Sequence, residues 1–289
     1  MKCTVEQQDR IVGERFETLC DIVYKPGQAL PNQTGVYIVF SKTDFVAGLL
    51  NECRKNTQNK YIIVTHHSDY PIDERIFGNA PSNIVKWFGI NITYDHPILE
   101  SIPLGSASST WIGTSEFAEA KDSPEFTIID EDNVEKNFKN LVYLDFGIHT
   151  NPSHRREVYN YFKDNDWVTQ KPCDIPLSEY ENSSHFNKMG EYYQNLYDHK
   201  YVVSPLGNGV DCGRVWQAIY LGSIPIIPRH LNINFYLDLP ILVYDDLSDI
   251  TEDFLIDQYD KILNPSSLDK STMSYWARRF REEKDKWSL

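Results

Sequence analysis

The stretch from Tyr201 to Ile227 restricts the fold more than any other part of the chain. Tyr201-Val202-Val203-Ser204 is a β-branched strand, and Pro205-Leu206-Gly207-Asn208-Gly209 is a loop that neither helix nor strand tolerates. From Asp211 to Leu221 the spacing predicts a helix, with Cys212, Val215, Trp216 and Ile219 on one apolar face. Ile224-Pro225-Ile226-Ile227 then reads as a second apolar strand. Strand, crossover helix and strand make a parallel pair. A parallel sheet must be covered on both faces, so the chain is α/β.

The same alternation runs through the rest of the second half. A strand at Leu141–Phe146 leads through Thr150-Asn151-Pro152 into a helix from Ser153 to Phe162, with Pro in its opening turn. Trp167–Thr169 and Pro240–Tyr244 read as strands, Phe186–Leu196 and Glu252–Leu263 as helices. The first half offers strands at Val36–Phe40, Tyr61–Thr65, Asn83–Trp87, Asn91–Tyr94 and Ile98–Leu104, and a short helix at Asp44–Asn51. Between about Ser106 and Asn140 the pattern breaks into Ser, Thr, Asp and Glu, which predicts a linker. Two Rossmann-like domains facing across a cleft are expected, residues 1–135 and 136–289.

At 289 residues the chain is long enough for both. A net charge of −14 argues against a nucleic-acid-coating surface, which needs clustered basic charge. Cys3, Cys20, Cys53, Cys173 and Cys212 are odd in number, dispersed and free of C-x-x-C spacing, as suits reduced thiols. The first residues lack the apolar core of a signal peptide, and no run reaches the length of a membrane span. A cytoplasmic protein is expected.

Chemistry concentrates in the loop and helix after Ser204. Ligands of open α/β sheets sit at the carboxyl ends of strands, where this loop lies. Gly207 and Gly209 let the backbone approach a bulky anion, and the helix N-terminus favours a diphosphate. Asp211, Arg214 and Gln217 form a polar stripe; Arg214 suits a forked phosphate contact and Gln217 a ribose hydroxyl. The bland alternative is that the glycines only permit the turn and Arg214 is a surface ion-pair partner. On physics alone the two readings stand level.

The order Ser204-Pro205-x-Gly207-Asn208-Gly209-x-Asp211-Cys212-x-Arg214-x-Trp216 resembles the donor-binding signature of exostosin-like glycosyltransferases. The likeness continues in Leu239–Thr251, in Thr65-His66-His67-Ser68-Asp69, in Ile102-Pro103-Leu104-Gly105 and in Thr150-Asn151-Pro152-x-x-Arg155. It spans roughly residues 60 to 255. It implies a GT-B architecture and inverting sugar transfer without a metal ion or other cofactor. A compact chain of this kind is also similar to the enzymes that large algal viruses encode for capsid glycans. The implied partners are a UDP-sugar donor, xylose first and fucose or galactose as alternatives, and an oligosaccharide or glycoprotein acceptor. Donor contacts are implied for His149, Thr150, Asn151, Arg155, Ser204, Pro205, Gly207, Asn208, Gly209, Asp211, Arg214 and Gln217. Two positions depart from the family pattern: Gln217 stands where Glu is usual, and Gly213 where His is usual.

Inverting transfer needs a base for the acceptor hydroxyl's proton. Asp69, Asp73 and His66 crowd the loop after Tyr61–Thr65 and are the candidates, a carboxylate ahead of the imidazole. Adjacent His66 and His67 without Cys partners make poor zinc spacing, so no metal is expected. Asp245 and Asp246 read as capping or structural residues. The alternative from another class is a nucleotide-sugar or glycan-binding module without catalysis.

Overall fold

A computed structural model of the protein describes residues 5–106, 140–171, 189–264 and 267–288. In the first half, strands β1 (Ile22–Val23), β2 (Val36–Lys42), β3 (Lys60–His66), β4 (Ile84–Gly89) and β5 (Leu99–Ser101) form one sheet in that spatial order. Every pairing is parallel, with Val39 opposite Ile63 and Ile63 opposite Trp87. Successive parallel strands joined by crossovers of one hand carry every connecting helix on the same face. Helix α2 (Val46–Lys55) occupies it, packing Leu49, Leu50 and Cys53 against Val39, Ile63 and Trp87. The short α3 (Glu74–Phe77) adds Ile76 and Phe77 at the margin.

The opposite face, Ile38, Phe40, Ile62, Val64 and Phe88, is then left to elements from elsewhere in the chain. Phe16 of α1 (Gly13–Thr18) covers part of it. Much of the rest of this cluster comes from beyond the predicted boundary near 135: Val215, Trp216, Ile219 and Tyr220 of α6 (Gly213–Tyr220), Met273, Trp276 and Phe280 of the last helix, α8 (Met273–Trp287), and Ile227, Ile233, Tyr236, Leu239 and Ile241 between them. Phe280 of α8 lies 4.6 Å from Phe88, centroid to centroid. No element is assigned from sequence beyond Leu263, where α8 is rich in charge. Its charges are in fact placed: Arg279 forks onto Glu100 of β5 (Nη2–Oε2 2.6 Å, Nε–Oε1 3.0 Å), and Lys86 of β4 reaches the same carboxylate at 2.8 Å.

The second sheet joins β6 (Asn140–Leu144), β7 (Val168–Gln170), β8 (His199–Val203), β9 (Ile224–Pro228) and β10 (Leu242–Tyr244). Its spatial order is β7-β6-β8-β9-β10, again wholly parallel. One face buries Val142, Leu144, Tyr201 and Val203 with Val158 and Phe162 of α4 (Pro152–Phe162) and Leu255 of α7 (Glu252–Leu263). The other gathers Tyr143 and Val202 with Leu196 of α5 (Met189–Asp198) and Ala218 of α6.

Two expectations differ from the structure, and a third lies outside the described residues. Asn91–Tyr94 is no strand, because Asn91 takes a left-handed φ of 55° and only Ile92 bridges, to Ile72. The helix after β8 starts at Gly213, which leaves Asp211 and Cys212 in the preceding loop. The expected linker falls almost wholly outside the described residues, as do Cys3, Cys173 and the start of the helix predicted from Phe186. Cys20, Cys53 and Cys212 are free thiols. Among the described residues no helix is long and apolar enough to cross a membrane.

Candidate functional site

Strand order in the second sheet reverses between β6 and β8, the first and third strands of that half. A crevice outside the carboxyl ends of two such strands is where open α/β sheets take ligands. The loop after β6 runs from Asp145 to Asn151, and the loop after β8 from Ser204 to Cys212. All the donor residues expected from sequence lie on these loops or in the first two turns of α4 and α6.

The two loops are tied to each other. Arg155, buried at 7% exposure, donates from Nε to the Leu206 carbonyl at 2.7 Å and from Nη1 to the Gly147 carbonyl at 2.6 Å. Asn151 Nδ2 donates to the Gly207 carbonyl at 3.2 Å. The guanidinium carbons of Arg155 and Arg214 lie 5.7 and 5.8 Å from the centroid of one ring, Phe146. Arg214 also hydrogen-bonds the Tyr192 hydroxyl, while Tyr143 donates to Asp145 at 2.7 Å. Burial pushes both phenols far above their ordinary range, so both stay protonated donors.

Gly207 and Gly209 are each crowded by a facing side chain. Neither has a positive φ. A Cβ at Gly207 would stand 2.9 Å from Arg155 Nη2, and one at Gly209 would stand 2.6 Å from the Asn91 side chain. Asn91 itself escapes sequence reasoning. Its Nδ2 donates to the Ser68 carbonyl at 3.2 Å and its Oδ1 accepts the Asp211 N–H at 3.0 Å, so it joins the β3 and β8 loops. The only sequence hint is that Asn tolerates a left-handed backbone.

Two members of the expected polar stripe turn inward. Asp211 accepts from Leu104 N–H at 2.8 Å and from Trp216 Nε1 at 3.0 and 3.1 Å. It is a buried anchor for the Ile102–Gly105 loop. Gln217 is buried too; its Oε1 accepts from Tyr192 and its Nε2 faces the Tyr193 hydroxyl. Both therefore spend these side-chain atoms on partners within the protein. Ser204 is buried, donating to Val202 O, and Pro205 is buried beside it. His149 and Asn208 are exposed, and the buried Thr150 Oγ1 has no hydrogen-bond partner among the described residues.

Of the three candidate bases, Asp69 alone meets the loop after β8 among the described residues. Asn208 Nδ2 donates to Asp69 Oδ2 at 3.2 Å, between exposed side chains of opposite halves. Asp73 instead caps α3, its Oδ1 accepting from Ile76 N–H at 2.8 Å. His66 is 2% exposed; its Nδ1 accepts His67 N–H at 2.8 Å, which leaves Nε2 to donate to the Pro103 carbonyl at 3.1 Å. Burial, and then the neighbouring His67, depress its pKa to about 3, which unfits it as a base near neutrality.

That depression carries a stability prediction. His66 titrates at 6.5 unfolded and about 3 folded, so its contribution is full above pH 6.5 and fades as pH falls toward 3. His230, lowered by burial to about 4, acts the same way. Asp211 acts oppositely: burial raises it from 3.8 to about 6, and it loses stability as pH rises through that window. His154 is lowered by burial too, so three depressed histidines stand against one raised carboxyl, and unfolding free energy should fall as pH drops from 6 to 4. Denaturant melts across that range would read it. A flat profile would contradict the buried neutral histidines.

Asp246 caps the short turn Leu247–Asp249, and Asp245 pairs with Arg229 at 2.6 Å, as structural roles require. Among the described residues no group of three or more His, Cys, Asp or Glu could hold a metal ion. A cavity of about 320 Å³ lined by Thr34, Gln58, Lys60 and Trp287 lies at the amino end of β3, opposite the switch-point loops. Lys60 stacks on Trp287 there at 4.6 Å. Fold and site together define a mixed α/β protein with two parallel five-stranded sheets, consistent with two Rossmann-like units. The chain matches no family model and no curated protein.

Proposed function

We propose that the protein is an inverting, metal-independent glycosyltransferase of GT-B architecture. It transfers a sugar, xylose first, from a UDP-sugar to a hydroxyl of an oligosaccharide or glycoprotein acceptor. The observation that carries this reading is the contact between Asn208 on the switch-point loop and Asp69 on the β3 loop. The loop we assign to the nucleotide and a carboxylate from the other half are in contact there. In the reaction the acceptor oxygen bonds to the anomeric carbon as the bond to the diphosphate breaks. UDP leaves with the electron pair, and the hydroxyl proton passes to Asp69. Arg214 and the N-terminus of α6 meet the leaving charge, a preorganised site of the kind that stabilises developing negative charge. Tyr70, 63% exposed beside Asp69, offers a ring face to the acceptor sugar.

Calorimetry in EDTA should find UDP bound more tightly than GDP or ADP. Arg214→Ala should lower kcat/KM for donor turnover by about 2–4 kcal/mol, the effect of removing one preorganised contact. Loss of all UDP binding on chelation would overturn metal independence. Near-parental turnover in the folded variant would return Arg214 to a packing role against Phe146. UDP-sugar binding without transfer to any acceptor would favour the non-catalytic module.

A further inference from the structure

The loops after β6 and β8 carry the site, yet neither is held by a strand pairing of its own. One side chain spans both. Arg155 bonds Leu206 on one loop and Gly147 on the other, at 2.7 and 2.6 Å, with only 7% of its surface exposed. Carbonyl oxygens are the groups that let a guanidinium stay charged in so buried a place. Two of its nitrogens are therefore directed into the loops. The chain is built around this placement: Gly207 has no side chain where a Cβ would press to 2.9 Å from Nη2. Asn151, four residues before Arg155 on the same turn, doubles the tie through the Gly207 carbonyl. Phe146, next to Gly147, carries Arg155 at 5.7 Å and Arg214 at 5.8 Å.

We infer that Arg155 is a positioning residue and not a phosphate ligand. It locks the two switch-point loops together and, through Phe146, sets the place of Arg214. This rests on the donor-site reading above for the diphosphate, while the locking of the loops stands on geometry alone. A fork is essential to that role and a point charge is not, so lysine is no substitute. Were Arg155 a phosphate ligand, lysine would retain much of the attraction.

The test uses Arg155→Lys, Arg155→Ala, Gly207→Ala, Arg214→Ala and the Arg155→Ala/Arg214→Ala double variant of the full chain. UDP dissociation constants and amide hydrogen exchange of residues 206–209 without ligand are the two readouts. Arg155→Lys should weaken UDP about as much as Arg155→Ala, roughly tenfold or more, and the double variant should be little worse than Arg214→Ala, the non-additivity of groups acting as a unit. Gly207→Ala, which leaves the arginine in the chain, should also weaken UDP. All variants at Arg155 and Gly207 should speed exchange at 206–209. Parental affinity in Arg155→Lys, or multiplying losses in the double variant, would overturn the inference in favour of direct phosphate contact. If the parent chain binds no UDP, the donor-site reading fails. Exchange at 206–209 then decides alone: faster in the variants upholds the lock, unchanged overturns it.

Discussion

Asp69→Asn should lower sugar transfer by about three orders of magnitude, within the range for losing a general base, while UDP affinity stays within roughly threefold of the parent. The carboxylate lies on the β3 loop, and the nucleotide is assigned to the loops of the other sheet. Among the described residues the contact with Asn208 joins it to that side, and an Asn at 69 can still accept that hydrogen bond. What is lost is the capacity to take a proton. The neighbouring candidates should behave differently. In Asp73→Asn the cap on Ile76 N–H persists, since Asn caps helices about as well as Asp, and transfer should stay near parental. In His66→Ala a buried ring bonded on both sides is removed, so stability falls before catalysis does. Transfer rate and UDP dissociation constant are measured together for each variant. Parental transfer in Asp69→Asn would move the base elsewhere and remove the support that the Asn208 contact gives to the proposed function.

The elements of this fold were legible where apolar spacing decides them. The runs Val36–Phe40, Tyr61–Thr65 and Tyr201–Val203 have both faces apolar, and only a strand covered on two sides accepts that. The helix Glu252–Leu263 has its bounds written in a capping Thr251 and in its periodicity. Periodicity says which residues share a face, though not what the face meets. Gln217 and Asp211 share a polar stripe with Arg214, yet their partners, Tyr192 and Leu104, come from distant segments that close over them. The same limit hid the role of Arg155, whose acceptors are loop carbonyls from two parts of the chain. Asn91 was hidden for another reason: a left-handed backbone breaks the strand that its apolar neighbours advertise. The motif around Gly207 was found, but the cause of the glycines was not, since steric need is set by facing side chains and not by the turn.

Glu100→Ala should destabilise the protein by about 2–3 kcal/mol, below the range for removing one partner of a fully buried ion pair because the pair is partly exposed. Glu100 on β5 accepts two hydrogen bonds from Arg279 of α8 and pairs with Lys86 of β4; their side chains are 16%, 19% and 10% exposed. Removing the carboxylate strands two cations where water reaches them poorly. Glu283 still holds Arg279 Nη1 at 3.0 Å, so part of the arginine's charge stays compensated and the effect should stop short of unfolding. A Glu100→Leu/Arg279→Leu double variant should lose less than the sum of its single variants, because it removes both sides of the pair. The consequence extends beyond β5. Helix α8 follows the second sheet in the chain and covers the first, and its entry is pinned by the Ser271 carbonyl accepting from Tyr220 of α6. Loosening α8 therefore frees the junction that sets Asp69 against Asn208. In Glu100→Ala, transfer should decline at temperatures below the melting point while UDP affinity holds, since the loops proposed to hold the nucleotide belong to the other sheet. Urea melts give the stability change, and additive losses in the double variant would show that the Arg279–Glu100 fork does not act as a unit.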